Sequence, residues 1–410
     1  MFYRQPRYFG NFRCIGGTCT NSCCIGWRID WTDEEISKVR DDPNCSAELK
    51  ELCEQCFAKP EGMDMNVVML GERDRCPFLT EDNFCRIQRE LGAEYLSFTC
   101  TIYPRHHIFA NDAVYRYCNM SCPEVMKKLL NDPKSMDLVN VPIKEAIFIK
   151  GAVVDNPKDL KKYPTLKFRK ELLEFFYEII SDKKHDVETS IILGALAAQK
   201  LTQVAMRGAD GIPAAILAIK PQLHNGAQLK QIDAIKPNYN IKLGFASEML
   251  KKIFKINTTA AFIDKTGMMN IDLYQQGEMR LKKSFADRDF ILRNFALNLL
   301  LEFALPFKSF ENTIFENYCI FAAAFALFKL NVIATAELTE RASKPHGITI
   351  SESTMNVKVL LNVDTESYIN KSASIISRNL CHNENNSKLL YEELKEHKML
   401  SPAYIALLIK

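Results

Sequence analysis

From about residue 165 to the end, apolar residues recur every three or four positions, the period of a helix with one buried face. The clearest windows are 166–180, 187–206, 285–304, 314–336 and 388–397, and each is expected to be helical with few internal Gly or Pro. The most apolar run, 318–328, stops at Lys329. It is shorter than the roughly 20 residues a bilayer requires, so it predicts a buried helix and no membrane span. The Ser- and Asn-rich stretch 379–388 reads as a loop. No repeat of fixed length interrupts this all-α reading.

The first 135 residues lack a sustained period and carry local signals instead. Thr32-Asp-Glu-Glu35 is a capping box and predicts a helix start. A second helix is expected over 47–57. Alternation over 108–117, broken at Asn111-Asp112, predicts a β-hairpin. Ser121-Cys-Pro-Glu124 opens a third helix that continues to residue 130. Pro133, Pro142, Pro157 and Pro164 mark a linker, in which 145–149 is a strand or a packed connection. The expected class is mainly α: a small irregular α+β cysteine-rich domain over 1–135, a linker over 136–164, and an all-α domain over 165–410.

A chain of 410 residues exceeds what one core usually supports, which agrees with several domains. Its net charge of +3 is too small for a dedicated nucleic-acid binder, so no nucleic-acid partner is expected. The start, MFYRQPRYFGNFRC, has neither an apolar h-region nor a small-residue cleavage site. A cytoplasmic location is expected. Thiols are kept reduced there, so cysteine clusters suggest metal or redox chemistry before disulfides. No P-loop and no dinucleotide-type glycine motif are present.

Twelve of the fourteen cysteines lie between Cys14 and Cys122; only Cys319 and Cys381 follow. They fall into groups: Cys14, Cys19, Cys23 and Cys24; Cys45, Cys53 and Cys56; Cys76 and Cys85; Cys100; Cys118 and Cys122. Four thiolates can close a tetrahedral zinc site or hold an iron–sulfur cluster, and spacing alone leaves both open. Cys23 and Cys24 are adjacent, and neighbouring side chains diverge. A cluster with separate iron atoms relaxes that conflict; otherwise one of the pair is a free thiol beside the site. Cys53-x-x-Cys56 reads as a redox pair, a zinc knuckle, or two residues sharing a helix face.

An ordered set of strings spans residues 9–130. It contains Phe12-Arg-Cys-Ile-Gly-Gly-Thr-Cys-Thr-Asn-Ser-Cys-Cys-Ile-Gly-Trp27, Cys76-Pro-Phe-Leu79 and Cys85-Arg-Ile-Gln88. Leu91-Gly-Ala-Glu-Tyr-Leu-Ser97, Cys100-Thr-Ile-Tyr-Pro-Arg105 and Asn119-Met-Ser-Cys-Pro-Glu124 complete it. This set resembles the flagellin lysine-N-methylase family and, more distantly, cysteine-cluster zinc- or iron-chelating proteins. The resemblance implies methyl transfer from S-adenosylmethionine to lysine ε-amines of flagellin, with a [4Fe–4S] cluster taking part. On that basis the preferred cluster ligands are Cys19, Cys23, Cys85 and Cys100, with Cys24 and Cys76 as substitutes.

A lysine methylase must deprotonate an amine of pKa ≈ 10.4 and align it with a sulfonium methyl. Aromatic faces favour the cationic sulfonium and the methylated ammonium product, so Trp27, Tyr95 and Tyr103 are candidate pocket residues as well as candidate core residues. Arg105 is expected to hold the carboxylate of S-adenosylmethionine, or to pair with Asp30 or Glu124. His106 and His107 open the hairpin, where exposed strand positions are the ordinary reading. The helical domain is expected to engage the protein substrate. The rival readings are a non-enzymatic zinc-stabilised interaction module and a thiol redox protein.

Overall fold

Residues 2–19, 21–142, 157–263, 268–285, 288–342 and 365–410 are described by a computed structural model. The segment 145–149, expected as a strand or packed connection, lies outside these residues. The strands are β1 (Phe2–Pro6), β2 (Asp30–Trp31), β3 (Phe57–Ala58), β4 (Asn66–Val68), β5 (Arg105–Ala110), β6 (Ala113–Cys118) and β7 (Leu138–Pro142). The principal helices begin with α1 (Asp33–Arg40), α2 (Ala47–Gln55), α3 (Pro123–Asn131), α4 (Arg169–Ser181) and α5 (Val187–Arg207). They continue with α6 (Ile212–Ile219), α7 (Tyr239–Lys252), α8 (Ile271–Ser284) and α9 (Phe290–Glu302). The last four are α10 (Ile314–Ala342), α11 (Thr365–Leu380), α12 (Glu384–Glu396) and α13 (Pro402–Ile409). The protein is mainly α.

Packing divides the chain into a cysteine-rich unit, residues 11–106 and 122–125, and a helical unit, residues 1–10, 107–121 and 126–410. Residues 1–10 and 107–121, read from sequence with the cysteine segment, pack with the helices. The reason is β1. It pairs parallel with β6, Tyr3 opposite Val114, and antiparallel with β7, Gln5 opposite Val139. The sheet order is β5-β6-β1-β7. A parallel partner more than a hundred residues away leaves no local trace in the sequence.

In the helical unit, α10 is the central element and contacts α5, α8, α11, α12 and α13. Residues 314–338 are long and apolar enough to cross a membrane by length and composition, yet 94% of their best apolar window is buried inside the protein. The Phe295 ring of α9 stacks on Phe328 of α10 at 3.5 Å. Lys329, which ends the apolar run, is tolerated because Glu278 lies at 2.9 Å and Glu188 at 3.1 Å.

The predicted helices at 166–180, 187–206 and 314–336 are present as α4, α5 and α10. The loop expected at 379–388 is much shorter. α11 runs to Leu380, and Asn383 caps α12 by accepting the Asn386 N–H. A capping Asn and a loop Asn look alike in sequence until the next turn is seen. α6, α7, α8, α11 and α13 lie outside the windows expected to be helical.

In the cysteine-rich unit the Thr32 capping box forms as expected: Thr32 accepts from Glu35 N–H, and Glu35 accepts from Thr32 N–H. β2 and β3 flank β4. A small core gathers Ile29, Trp31, Val39, Leu49, Val68, Phe78 and Ile87, together with Cys45, Cys53 and Cys76.

Candidate active site in the cysteine-rich unit

The local backbone explains how distant cysteines meet. Gly16 adopts φ +57°, and a Cβ on it would sit 3.0 Å from the Phe84 ring. A Cβ on Gly17 would lie 2.9 Å from the Asp82 carbonyl oxygen. Only a Gly-Gly pair lets the Cys14–Cys19 loop approach the 82–84 turn this closely. The Cys76 N–H donates to the Cys24 carbonyl at 2.8 Å, and Gly26 N–H donates to the Asp74 carbonyl at 2.8 Å. The Thr80–Phe84 turn then sets Cys85 beside Leu79 in an isolated bridge. Cys100 lies on the short helix Phe98–Ile102, whose cap Ser97 accepts the Cys100 N–H at 3.2 Å. Glu35, the capping-box carboxylate, also accepts the Phe98 N–H at 2.8 Å, which fixes that helix from β2's end of the unit.

The result is one cavity of about 270 Å³ bordered by seven cysteines: Cys14, Cys19, Cys23, Cys24, Cys85, Cys100 and Cys122. Of the six predicted metal-binding cysteines, five reach it: Cys19, Cys23, Cys24, Cys85 and Cys100. Cys76 is not on its wall. It is buried behind, tied by its backbone to Cys24. Cys14 and Cys122 belong to the family-like strings but were not chosen as ligands; their place on the wall comes from the Gly-Gly turn and the Pro123 helix start.

Burial pushes most of these thiols up. Cys100 rises to about 12 and Cys122 to about 11, chiefly by desolvation, and Cys19 and Cys85 rise for the same cause. Cys24 runs the other way, to about 7, because the Cys23 thiol donates to it, with Ser22 and Arg75 helping. Its neighbour Cys23 is raised in turn by that shared hydrogen bond and by burial. Several buried thiols around one space become thiolates together only when a cation compensates them, which is the chemistry of a metal site.

The donor set is all sulfur, which suits soft metals. Sulfurs on one tetrahedral zinc, with Zn–S bonds of about 2.3 Å, stand roughly 3.8 Å apart. Among the described residues no three cysteine sulfurs lie within 4.8 Å of one another.

Trp27 and Tyr103 line the same cavity and touch edge to face, ring centroids 4.8 Å apart. Arg105 lines it too, its guanidinium 5.0 Å from the centre of the Phe12 ring. Asp30, one of its expected partners, is engaged by Arg28 at 2.7 Å. Glu124, the other, lines the cavity. Tyr95 does not. Its hydroxyl donates to Asp42 at 2.5 Å, and the Lys38 ammonium sits over its ring. Tyr95 therefore braces α1 and the following turn. His106 is partly buried and held down to about 4 by desolvation, so it is neutral at pH 7. His107 is also partly buried, edge-on to Tyr3, where the sequence suggested exposure. Cys53 and Cys56 fall at the end of α2, away from the cavity wall, with Cys53 in the core beside Cys45.

Residues 173–408 match the model of the FliB lysine N-methylase C-terminal domain. That segment is more than half of the chain. The chain belongs to the FliB lysine N-methylase family. It is 26% identical over 251 residues to the Lysine-N-methylase of Salmonella choleraesuis (strain SC-B67), covering 60% of this chain and 59% of that protein. The Lysine-N-methylase of Salmonella typhimurium (strain LT2) gives the same identity and coverage. The chain thus spans about 59% of the length of these two methylases. The Flagellar biosynthetic protein FliU of Salmonella muenchen is 32% identical over 136 residues, 33% of this chain and 80% of that protein. No solved structure matches. The family segment lies in the helical unit, while the sulfur-lined cavity lies outside it.

Proposed function

We propose that this member of the FliB lysine N-methylase family is a protein-lysine N-methyltransferase. In this reading it moves methyl groups from S-adenosylmethionine to lysine ε-amines of flagellin in the cytoplasm, and the cysteine-rich unit holds a [4Fe–4S] cluster. One observation carries the site: seven cysteines, the Trp27–Tyr103 pair and Arg105 border a single cavity. Two relatives, a Lysine-N-methylase and a Flagellar biosynthetic protein, support the methylation and the flagellar substrate.

Four of Cys19, Cys23, Cys24, Cys85 and Cys100 would hold the cluster, with Cys14 and Cys122 close by. When bound, such a cluster supplies one-electron chemistry or, with an open iron, a site for amino and carboxylate groups. The chain's own groups would do the rest. The faces of Trp27 and Tyr103 favour a sulfonium and a methylated ammonium by roughly 0.5–2 kcal/mol each. Arg105 would take the methyl donor's carboxylate in a bidentate pair. Glu124 offers a carboxylate on the same wall to receive the lysine proton. The helical unit would engage flagellin.

The test is anaerobic purification, metal analysis, and an electron paramagnetic resonance spectrum of dithionite-reduced protein, with flagellin methylation followed by mass spectrometry. Iron near four atoms per chain, lost together with methylation in folded Cys23→Ser and Cys100→Ser variants, is the expected result. A colourless protein holding one zinc and no iron defeats the cluster. Full methylation by the cluster-free variants defeats its catalytic role.

A further inference from the structure

A second candidate metal site, with no cysteine in its donor set, stands in the helical unit. Asp182 ends α4, His185 lies in the connection to α5, and His224 ends the 3₁₀ turn Lys220–His224 that follows α6. One ligand atom from each lies within 4.8 Å of the other two. His185 Nε2 and His224 Nδ1 are 3.3 Å apart. Two nitrogens bound to one tetrahedral zinc at about 2.0–2.1 Å stand roughly 3.3 Å apart, so the imidazoles are already at the spacing a shared ion imposes. Asp182 Oδ2 lies 3.5 Å from the other ring nitrogen of His224, Nε2, and a carboxylate oxygen of Asp182 falls within the 4.8 Å group as the third donor.

The surroundings hold this set in place. Arg293 is buried, and its guanidinium donates to the carbonyls of Ile180 and Asp182 at 2.5 and 2.8 Å and also to that of His185. One side chain therefore fixes the backbone on both sides of the ligands. Asp186 caps α5 through the Thr189 N–H at 2.6 Å. On the other side, Lys220 pairs with Glu178 of α4 at 2.5 Å, and Lys200 of α5 donates to Gln222 at 2.6 Å, which tie the turn carrying His224 to both helices. Supported ligands on a fixed backbone are what an affinity site requires. The contrast with Glu248, Glu393 and His397 is instructive. Those three also cluster, but the Lys252 ammonium already sits on Glu393. No lysine or arginine forms an ion pair with Asp182 among the described residues: Oδ1 accepts the Lys184 N–H at 2.9 Å and Oδ2 faces His224.

We propose that Asp182, His185 and His224 bind one divalent cation of the borderline class, zinc being the type, with the remaining position open to water. The ion would staple the 3₁₀ turn to the α4–α5 corner.

The test uses the full chain with whatever metal its cysteine-rich unit retains, since that background is the same in all arms. Wild type, His185→Ala, His224→Ala and Asp182→Asn are dialysed to equilibrium at micromolar free zinc, and zinc per chain is counted. Each histidine variant should retain one zinc fewer than wild type. Its affinity should fall by more than the roughly 10- to 100-fold typical of losing a group behind a ligand. Asp182→Asn should weaken binding without moving the far-ultraviolet circular dichroism. Equal zinc in all four overturns the site. A second readout needs no variant: zinc should protect both His185 and His224 of wild type from diethyl pyrocarbonate, and undiminished modification of the pair overturns the site as well.

Discussion

Glu302 offers a sharp test of the core of the helical unit. It is fully buried at the end of α9, where Oε1 accepts the Met120 N–H and Oε2 lies 2.9 Å from the Ser377 hydroxyl oxygen. Asn298 donates to Oε1 at 3.1 Å, and the Cys381 thiol also bonds to this carboxyl. Desolvation outweighs these donors and raises its pKa from 4.5 to about 7. In the unfolded chain the group loses its proton near 4.5; in the fold it keeps it to about 7. The folded state therefore binds the extra proton between those values. Stability from this group is whole below 4.5 and is lost as pH rises through 7. At about 1.4 kcal/mol per pH unit the total is on the order of 3 kcal/mol.

Glu302→Gln removes the titration and keeps the shape. The amide can donate to Ser377, whose hydroxyl is already turned toward Asn119. The difference in unfolding free energy between wild type and variant should therefore move by about 3 kcal/mol in favour of Gln from pH 4.5 to pH 8. Urea unfolding followed by circular dichroism across that range measures it. Other carboxylates titrate in both proteins and cancel. Parallel stability curves for the two proteins would refute the buried, protonated carboxyl.

Three further outcomes follow from the same contacts. Gly17→Ala forces a methyl against the Asp82 carbonyl, so metal retained per chain should fall severalfold while the α1–α2 core stays folded; unchanged metal content would contradict the Gly-Gly approach. Trp27→Ala removes an edge contact of about 0.5–1.5 kcal/mol and a cation face of about 0.5–2 kcal/mol, so KM for methyl donor or lysine peptide should rise about tenfold, whereas Trp27→Phe should keep most of the affinity. An unaltered KM in a folded Ala variant removes the aromatic wall from the mechanism. Lys329→Met takes the cation from between Glu188 and Glu278 and leaves the buried Lys242, 3.7 Å from Glu278, as the remaining charge beside them, so thermal unfolding should show a loss of about 3 kcal/mol; a stabilised variant would show that α10 gains nothing from the pair.

What the sequence disclosed depended on the range of the forces involved. Helices such as α5 and α10 announce themselves because burial on one face repeats every turn. The Thr32 box and the turn at Asn111, with φ +57°, are set by neighbours and were legible for that reason. β1 was not, since its partners are Val114 and Val139 and no local rule selects them. The same limit divides the site. Cys19, Cys23, Cys24, Cys85 and Cys100 were assigned through their motif strings, and they meet on one wall. Tyr95 sits in the same strings but braces α1, and Cys76 lies behind the wall within electrostatic reach of Cys24, Cys85 and Cys100. Residue type and spacing were alike in both cases; only the direction in which the backbone turns each Cα separates them. The Asp182–His185–His224 group was invisible because His224 arrives through two intervening helices.

The two units also differ in what holds them. The helical unit buries long apolar faces, and residues 173–408 of it are the part that the family model recognises. The cysteine-rich unit has a core of about a dozen side chains, three of them cysteines, and strands of two or three residues. Such a core contributes little net stability once chain entropy is counted. Its sulfur loops are joined by few backbone bonds, notably Cys76 to Cys24 and Gly26 to Asp74. A metal centre that draws thiolates from the loops at residues 14–24, 85 and 100 would close them more firmly than any contact the apolar residues supply. The cysteines around the cavity are then structural and chemical at once: the group that carries out the reaction would also be the one that completes the fold.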